Sequence, residues 1–263
     1  MTTVFAVAGI IFYLAAAFLL MGKIVNQQTP NKKLAMVLSL AGAAAHICYL
    51  SQAIVIAPGQ NMSITNVLSL VSWLITVSML ISASVMPNII LLPVVFGFSA
   101  MTIAAAQVLP VSHIMHIEMQ PGLVIHITLS LFAYGTLVIA FLYALQMSFI
   151  TFKLKQKGAS LLNSPLPPLM LVEGMLFKLL LVGTFLLILS LVSGFVFLDD
   201  MFSTMYAHKT VLSIIALAVY IVLLTGQHIW GWRGKQVIVL TVIGLMLLTL
   251  AYFGSRFVRE ILL

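Results

Sequence analysis

Charged side chains are scarce in this sequence, and acidic ones are the scarcest. Only 6% of the 263 residues are charged, with 5 Asp and Glu against 12 Lys and Arg. A chain of this composition has too little polar surface to coat a water-soluble globule. Water-soluble domain classes are therefore excluded, and the lipid bilayer is the solvent that suits the chain.

Cysteine is nearly absent as well, because Cys48 is the only one in the sequence. A single thiol excludes an intrachain disulfide framework and a zinc site built from cysteines. Since Cys48 lies inside an apolar run, we expect it to be a small core side chain. We also expect no cleavable signal peptide, because the first apolar run has span length and no basic region before it.

Apolar residues make up 63% of the chain, and the mean hydropathy is +1.23. Apolar runs of about 20 residues recur along its length, each long enough to cross about 30 Å of hydrocarbon. Helices that satisfy their own backbone groups fit that setting. We predict an all-α, polytopic transmembrane bundle that forms one integral membrane domain over 1–263. Its roughly eight spans are expected near 3–22, 34–56, 64–85, 88–109, 123–152, 174–198, 208–230 and 236–258.

The basic residues predict how the bundle is oriented. With the N-terminus outside, only Lys209, Arg256 and Arg259 lie on the outer side. The other basic residues then lie at or near the cytoplasmic side: Lys23, Lys32, Lys33, Lys153, Lys155, Lys157, Lys178, Arg233 and Lys235. The positive-inside rule therefore predicts N-out and C-out. Because the basic residues are scattered over short loops, we expect no nucleic-acid partner.

Two features concern the fifth and sixth spans. Lys153, Lys155 and Lys157 continue the helical pattern of the fifth span beyond its apolar stretch, so we expect that helix to protrude from the membrane. Glu173 is expected just before the sixth span, where a carboxylate stabilises the positive end of a helix.

Four histidines lie within the predicted spans. His126 and His208 are at the outer starts of the fifth and seventh spans, His46 is midway along the second, and His228 is near the inner end of the seventh. Polar groups are costly to place in hydrocarbon, so each is a functional candidate. A neutral imidazole is a common ligand of metals and of haem iron.

Helical geometry limits how these histidines combine. His208 and His228 lie about 20 residues apart on one helix, roughly 30 Å in depth, so they cannot ligate one haem. His126 and His208 share the outer level and could face one cofactor from opposite sides. His46 and His228 could line an inner site if helix tilt narrows their difference in depth. For each histidine, a structural hydrogen bond is the alternative to ligation.

His126, Ser130 and Tyr134 repeat every four residues and form a polar stripe on one helical face. This stripe must face protein, either to line a cofactor site or to hydrogen-bond neighbouring helices. Lys209 at the membrane boundary could meet a carboxylate such as a haem propionate, or could extend its amine to the interface.

A second histidine cluster lies in an outer loop. His113, His116 and Glu118 have loose metal-ligand spacing but no second element to complete a site. We favour surface residues of an interfacial helix for this segment.

Four segments carry a resemblance to a known family. They are 121–135 around His126, 208–213 around Lys209, the run HIWGWRGK at 228–235, and 250–256. Together they resemble the cytochrome c assembly membrane proteins of the CcsA, CcmC and CcmF superfamily, and within it the small HemX-like branch. The likeness extends over most of the chain.

The resemblance implies a haem-handling protein of the bacterial inner membrane that binds b-type haem without a covalent bond. Because the sequence shows no nucleophile–base pair, phosphate loop or complete metal motif, we expect no enzymatic activity. It places His126 at the family's first outward-facing haem-ligand position and His228 at its inner transmembrane histidine. Lys209 is similar to a lysine of the haem-handling segment in larger members, whose tryptophans, Asp-Pro pair and second outer histidine motif this chain lacks. We infer that His208 substitutes as the second outer ligand.

Two other functions stay open. The histidines and outer acids could belong to a divalent-cation or proton transport component, although the predicted spans contain no embedded carboxylate. The lysine-bearing loops could instead contact haem-biosynthesis proteins, which would make the chain a membrane regulator of haem synthesis.

Overall fold

A computed structural model describes residues 1–26, 31–56, 59–85, 89–109, 113–115, 120–155, 166–198 and 207–254. The described residues form eight α-helices, of which seven are long and apolar enough to cross a membrane and α4 is shorter. The helices are α1 Thr2–Asn26, α2 Lys32–Ile54, α3 Ile64–Val85, α4 Leu92–Val108, α5 Pro121–Lys155, α6 Leu169–Phe197, α7 Ala207–Trp230 and α8 Lys235–Thr249. The predicted polytopic helical bundle is therefore confirmed.

Two boundaries correct the sequence prediction. Helix α6 begins at Leu169 rather than at 174, directly after Pro168, so Glu173 lies inside the helix instead of before it. Helix α8 ends at Thr249 and continues as a π-helical turn, Leu250–Gly254. Helix α5 does extend through Lys153 and Lys155, as predicted, whereas Lys157 lies outside the described residues.

A small antiparallel sheet accompanies the helices. Its strands are β1 Val55–Ile56, β2 Gly59–Asn61 and β3 Ile114–Met115, in the order β1-β2-β3. The prediction of an interfacial helix in this segment was wrong, because Ile114 and Met115 form strand β3. The Asn61 side chain accepts a hydrogen bond from the backbone N–H of His113 at 2.8 Å, and pairing with β2 gives this segment an extended backbone. His116 and Glu118 lie outside the described residues.

The helices cluster into two compact units, 1–119 and 120–263. In the first unit, α1 and α3 each pack against α2 and α4, which gives a ring of four helices. Small polar side chains fill its interior and bond across it, for example Thr76 with Ser99 at 2.7 Å and Ser72 with Thr102 at 2.7 Å. Interhelical hydroxyl pairs of this kind are typical of helices that meet within lipid.

The second unit repeats this ring with α5 and α7 each packing against α6 and α8. Antiparallel contacts between successive helices include Gly183 against Leu137 and Gly244 against the ring of Tyr220. Because neighbours are antiparallel, α5 and α7 are diagonal and begin at the same end of the unit. Small residues at the contacts let the backbones approach closely.

Large apolar side chains cover the outside of both units. Phe18, Met170 and Val196 are examples, with exposures of 79%, 77% and 67%. A water-soluble protein would not expose so many large apolar groups over whole helix faces, whereas lipid accommodates them. The N-out and C-out orientation stays a prediction.

Candidate functional site

His126 lies in the second turn of α5, half-buried, where the ring faces the last turns of α6. Its Nδ1 is 2.9 Å from the carbonyl oxygen of Ser190 and 3.3 Å from the Ser193 hydroxyl. A carbonyl oxygen only accepts, so Nδ1 carries the proton and donates it. The neutral ring then has an unprotonated Nε2 whose lone pair is available to a metal.

The other two residues of the predicted stripe also face neighbouring elements. Ser130 donates to the His126 carbonyl at 2.7 Å and contacts the Ser190 hydroxyl at 2.6 Å. The Tyr134 hydroxyl contacts that of Thr249 at 3.0 Å. These bonds satisfy Ser130 and Tyr134 within the protein, which favours the structural alternative for both side chains.

The π-helical turn completes this part of the unit. The Tyr252 hydroxyl hydrogen-bonds the side chains of Ser130 and Ser190. The rings of Tyr252 and Phe253 lie 5.4 and 5.5 Å from that of Tyr134, both at steep angles. These hydroxyl and aromatic side chains therefore lie one to two helical turns further along α5 than His126.

His208 and Lys209 lie in the first turn of α7, His208 exposed and Lys209 half-buried. Because α5 and α7 begin at the same end of the unit, the two residues share that end with His126. Within the described part of the chain, no hydrogen bond or ring contact joins His126 to His208.

His46 belongs to the first unit and has a different environment. Its ring is completely buried, with Nε2 2.8 Å from the Ser69 hydroxyl and Nδ1 3.4 Å from the Tyr13 hydroxyl. Both ring nitrogens are engaged, which favours a structural role over ligation. His228 belongs to the second unit.

His228 is exposed in the last turn of α7, beside the Gly-Trp-Arg-Gly run. Gly231 and Gly234 have φ of +64° and +63°, a left-handed backbone that glycine adopts without strain. These turns fold Trp232 back onto Gly226, where a Cβ would lie 2.2 Å from the ring.

The same fold-back positions two more groups. The rings of Trp230 and Trp232 stack at 5.7 Å, and Arg233 Nε lies 3.6 Å from Glu173 Oε1 on α6. Tryptophan rings and an exposed arginine are characteristic of the membrane interface. We expected Glu173 to stabilise the N-terminus of the sixth span, but its carboxylate pairs with Arg233.

Sequence reasoning missed Ser190 and Ser193, the partners of His126. They lie three residues apart in the last turns of α6, on an apolar stretch of that helix. That spacing was a detectable signal, although only the tertiary fold shows which histidine they contact. Among the residues described, no group of three or more His, Cys, Asp or Glu could hold a metal ion.

Comparison with known proteins assigns the chain to a family. The family model described as cytochrome C assembly protein matches residues 37–263. Inner membrane protein YpjD of Escherichia coli strain K12 is 39% identical over 261 residues, covering 98% of this chain and 99% of that protein. The YpjD proteins of E. coli O6:H1 and O157:H7 match equally well. No solved structure matches. The chain is an inner-membrane member of the cytochrome c assembly protein family.

Proposed function

We propose that this protein binds and hands over b-type haem near the outer leaflet, with His126 and His208 as axial ligands. One observation carries the proposal, namely the Nδ1 of His126 hydrogen-bonded to the Ser190 carbonyl. A ligand histidine almost always donates its second nitrogen in this way, which fixes the tautomer and raises the basicity of the ligating nitrogen.

The side chains around His126 suit the binding of haem iron. His126 would present a neutral Nε2 from a ring that is held in place yet half-exposed. Ser130, Tyr134 and Tyr252 would bound the site on its deeper side, because their hydroxyls are already hydrogen-bonded and the two tyrosine rings exclude water. Bound haem supplies redox-active iron, while the protein supplies ligation, orientation and a partly apolar pocket.

His208 would be the second ligand, from the opposite side of the unit. Neighbouring helices pack about 8–10 Å apart, so diagonal axes in a square arrangement are roughly 11–14 Å apart. Two imidazoles that point inward span a distance of this order. The exposed His208 ring would turn inward to bind, and Lys209 beside it would lie near a propionate.

Two imidazoles would fill both axial positions and leave no site for oxygen. Such ligation favours carriage or electron transfer, so we propose a non-enzymatic role. His228, exposed at the other end of the unit, would line an inner site or transfer route. Within its own unit, His46 would contact a cofactor only after releasing Tyr13 or Ser69, so we give it no axial role.

Reduced-minus-oxidised spectra of the protein purified with haem added test this proposal. We expect a b-type spectrum that His126→Ala and His208→Ala each remove or shift, because each deletes one axial nitrogen. His46→Gln is the matched control, since it changes a buried histidine in the other unit and should keep the spectrum. No haem retention by the wild type, or a spectrum indifferent to both alanine variants, would overturn the proposal.

A further inference from the structure

An open groove of about 380 Å³ lies between α6 and α7 on the outside of the second unit. It is near the end that carries the stacked indoles. Apolar and polar side chains line it together: Phe177, Lys178, Leu181, Leu224, Gln227 and His228. Lys178, Leu181 and His228 are exposed, so the groove opens to the surroundings of the helices rather than into the bundle.

The depth of the groove corresponds to the boundary between headgroups and acyl chains. Trp230 and the Glu173–Arg233 pair mark the interface at this end. Lys178 follows Glu173 by five residues on α6, about 7.5 Å deeper. Side chains on a helix tilt towards its N-terminus, so the amine of Lys178 reaches back towards the headgroups.

The charge around the groove is positive. Lys153, Lys155, Arg233 and Lys235 lie at the same end of the unit as Lys178. Glu173, the one acidic residue in the described part of the chain, is already paired with Arg233. Lys178 forms no salt bridge with a described residue. Its charge is therefore available to an external anion.

We propose that this groove binds one anionic phospholipid, at a site separate from the proposed axial ligands His126 and His208. The phosphate would meet Lys178, with Gln227 and His228 as further hydrogen-bond partners, and an acyl chain would lie along Leu181 and Leu224. Basic pockets between transmembrane helices bind anionic headgroups by this combination of charge and apolar contact. Charge complementarity and interfacial depth together select a phospholipid as the occupant.

Native mass spectrometry of the full-length protein in detergent, with added phosphatidylglycerol or phosphatidylcholine, tests the groove. We expect the wild type to retain phosphatidylglycerol preferentially. Lys178→Gln should weaken that retention about fivefold, the effect of one lysine near an anionic surface. Lys178→Arg keeps the positive charge and should bind phosphatidylglycerol as the wild type does. Lys153→Gln is the matched control, because Lys153 lies at the same end but over the Phe149 ring on α5, outside the groove.

Several results would overturn the proposal. Equal retention of the two lipids would show no headgroup selectivity, and equal losses in Lys178→Gln and Lys153→Gln would show only diffuse attraction. Unchanged phosphatidylglycerol retention in Lys178→Gln, with loss of the haem difference spectrum, would assign the groove to haem. Thermal unfolding followed by circular dichroism verifies that each variant is folded, and Lys178→Met, which also removes the charge, provides the test if Lys178→Gln is not.

Discussion

Each four-helix unit buries a tyrosine against a glycine, and the two tyrosines differ in what their hydroxyls meet. Tyr13 in the first unit lies on Gly42, and Tyr220 in the second lies on Gly244. Both side chains are completely buried. The Tyr13 hydroxyl contacts His46, whereas that of Tyr220 has no hydrogen-bond partner in the described structure.

The histidines of the two units differ in the same way. His46 uses both ring nitrogens inside the first unit, so its bonds hold that unit together. His126 bonds through Nδ1 alone, and its Nε2 makes no hydrogen bond with a described residue. The number of nitrogens already bonded thus separates a structural histidine from a candidate ligand more sharply than depth in the membrane does.

The largest expected effect is a difference in the free energy of unfolding between variants of His46 and His126. His46→Ala leaves the Ser69 and Tyr13 hydroxyls without this partner and opens a cavity, which should lower the free energy of unfolding by about 3 kcal/mol. His126→Ala should cost only about 1 kcal/mol, because its ring is half-buried and bonded through one nitrogen. Equilibrium unfolding in mixed detergent micelles measures both. Equal losses would remove the distinction between them.

The next effect concerns the two glycines. A Cβ at Gly244 would lie 2.6 Å from Cζ of Tyr220, and one at Gly42 would lie 2.9 Å from Cδ1 of Tyr13. Gly244→Ala should therefore destabilise by about 2 kcal/mol, and Gly42→Ala by somewhat less. Thermal unfolding checks the order. Gly97→Ala is the control, because a Cβ there meets nothing within 4 Å and the unfolding temperature should not fall.

A smaller effect tests the tyrosine hydroxyls directly. Tyr13→Phe removes a partner of His46 and should cost about 1 kcal/mol. Tyr220→Phe removes a buried hydroxyl that has no partner, so stability should stay constant or rise. The same unfolding measurement compares the two variants. A loss in Tyr220→Phe as large as that in Tyr13→Phe would mean that the Tyr220 hydroxyl is bonded in the membrane.

The smallest effect compares one hydroxyl pair from each unit. Thr76 with Ser99 and Ser130 with Ser190 have oxygen separations of 2.7 and 2.6 Å. Double-mutant cycles with Thr76→Val, Ser99→Ala, Ser130→Ala and Ser190→Ala should give couplings of about 0.6 kcal/mol for each pair. A coupling near zero at Ser130 and Ser190 alone would mean that this pair contributes little to holding α5 against α6.

The helices could be predicted from the sequence because each depends on a local property, an apolar run bounded by breaking residues. The expected span 64–85 coincides with α3. The sheet could not be predicted, since strands of two and three residues form only through pairing with distant segments, as Asn61 does with Ile114. The start of α6 was missed because Glu173 resembled a helix boundary, although the helix begins just after Pro168.

The candidate site was predictable in part for the same reason. The four-residue spacing correctly predicts that Ser130 and Tyr134 face other helices, because helical periodicity is local. The engagement of His46 on both sides was not predictable, since Tyr13 and Ser69 come from helices before and after its own. Whether His126 and His208 bind haem stays a prediction.

The π-helical turn Leu250–Gly254 has a consequence for the chain's tolerance of length changes. Successive residues point about 100° apart in an α-helix and closer together in a π-turn, which helps Tyr252 and Phe253 to lie against the same ring, that of Tyr134. A π-turn accommodates one additional residue in the hydrogen-bond ladder. Deleting a single residue from this turn would restore ordinary winding and turn one of the two aromatic rings away from Tyr134.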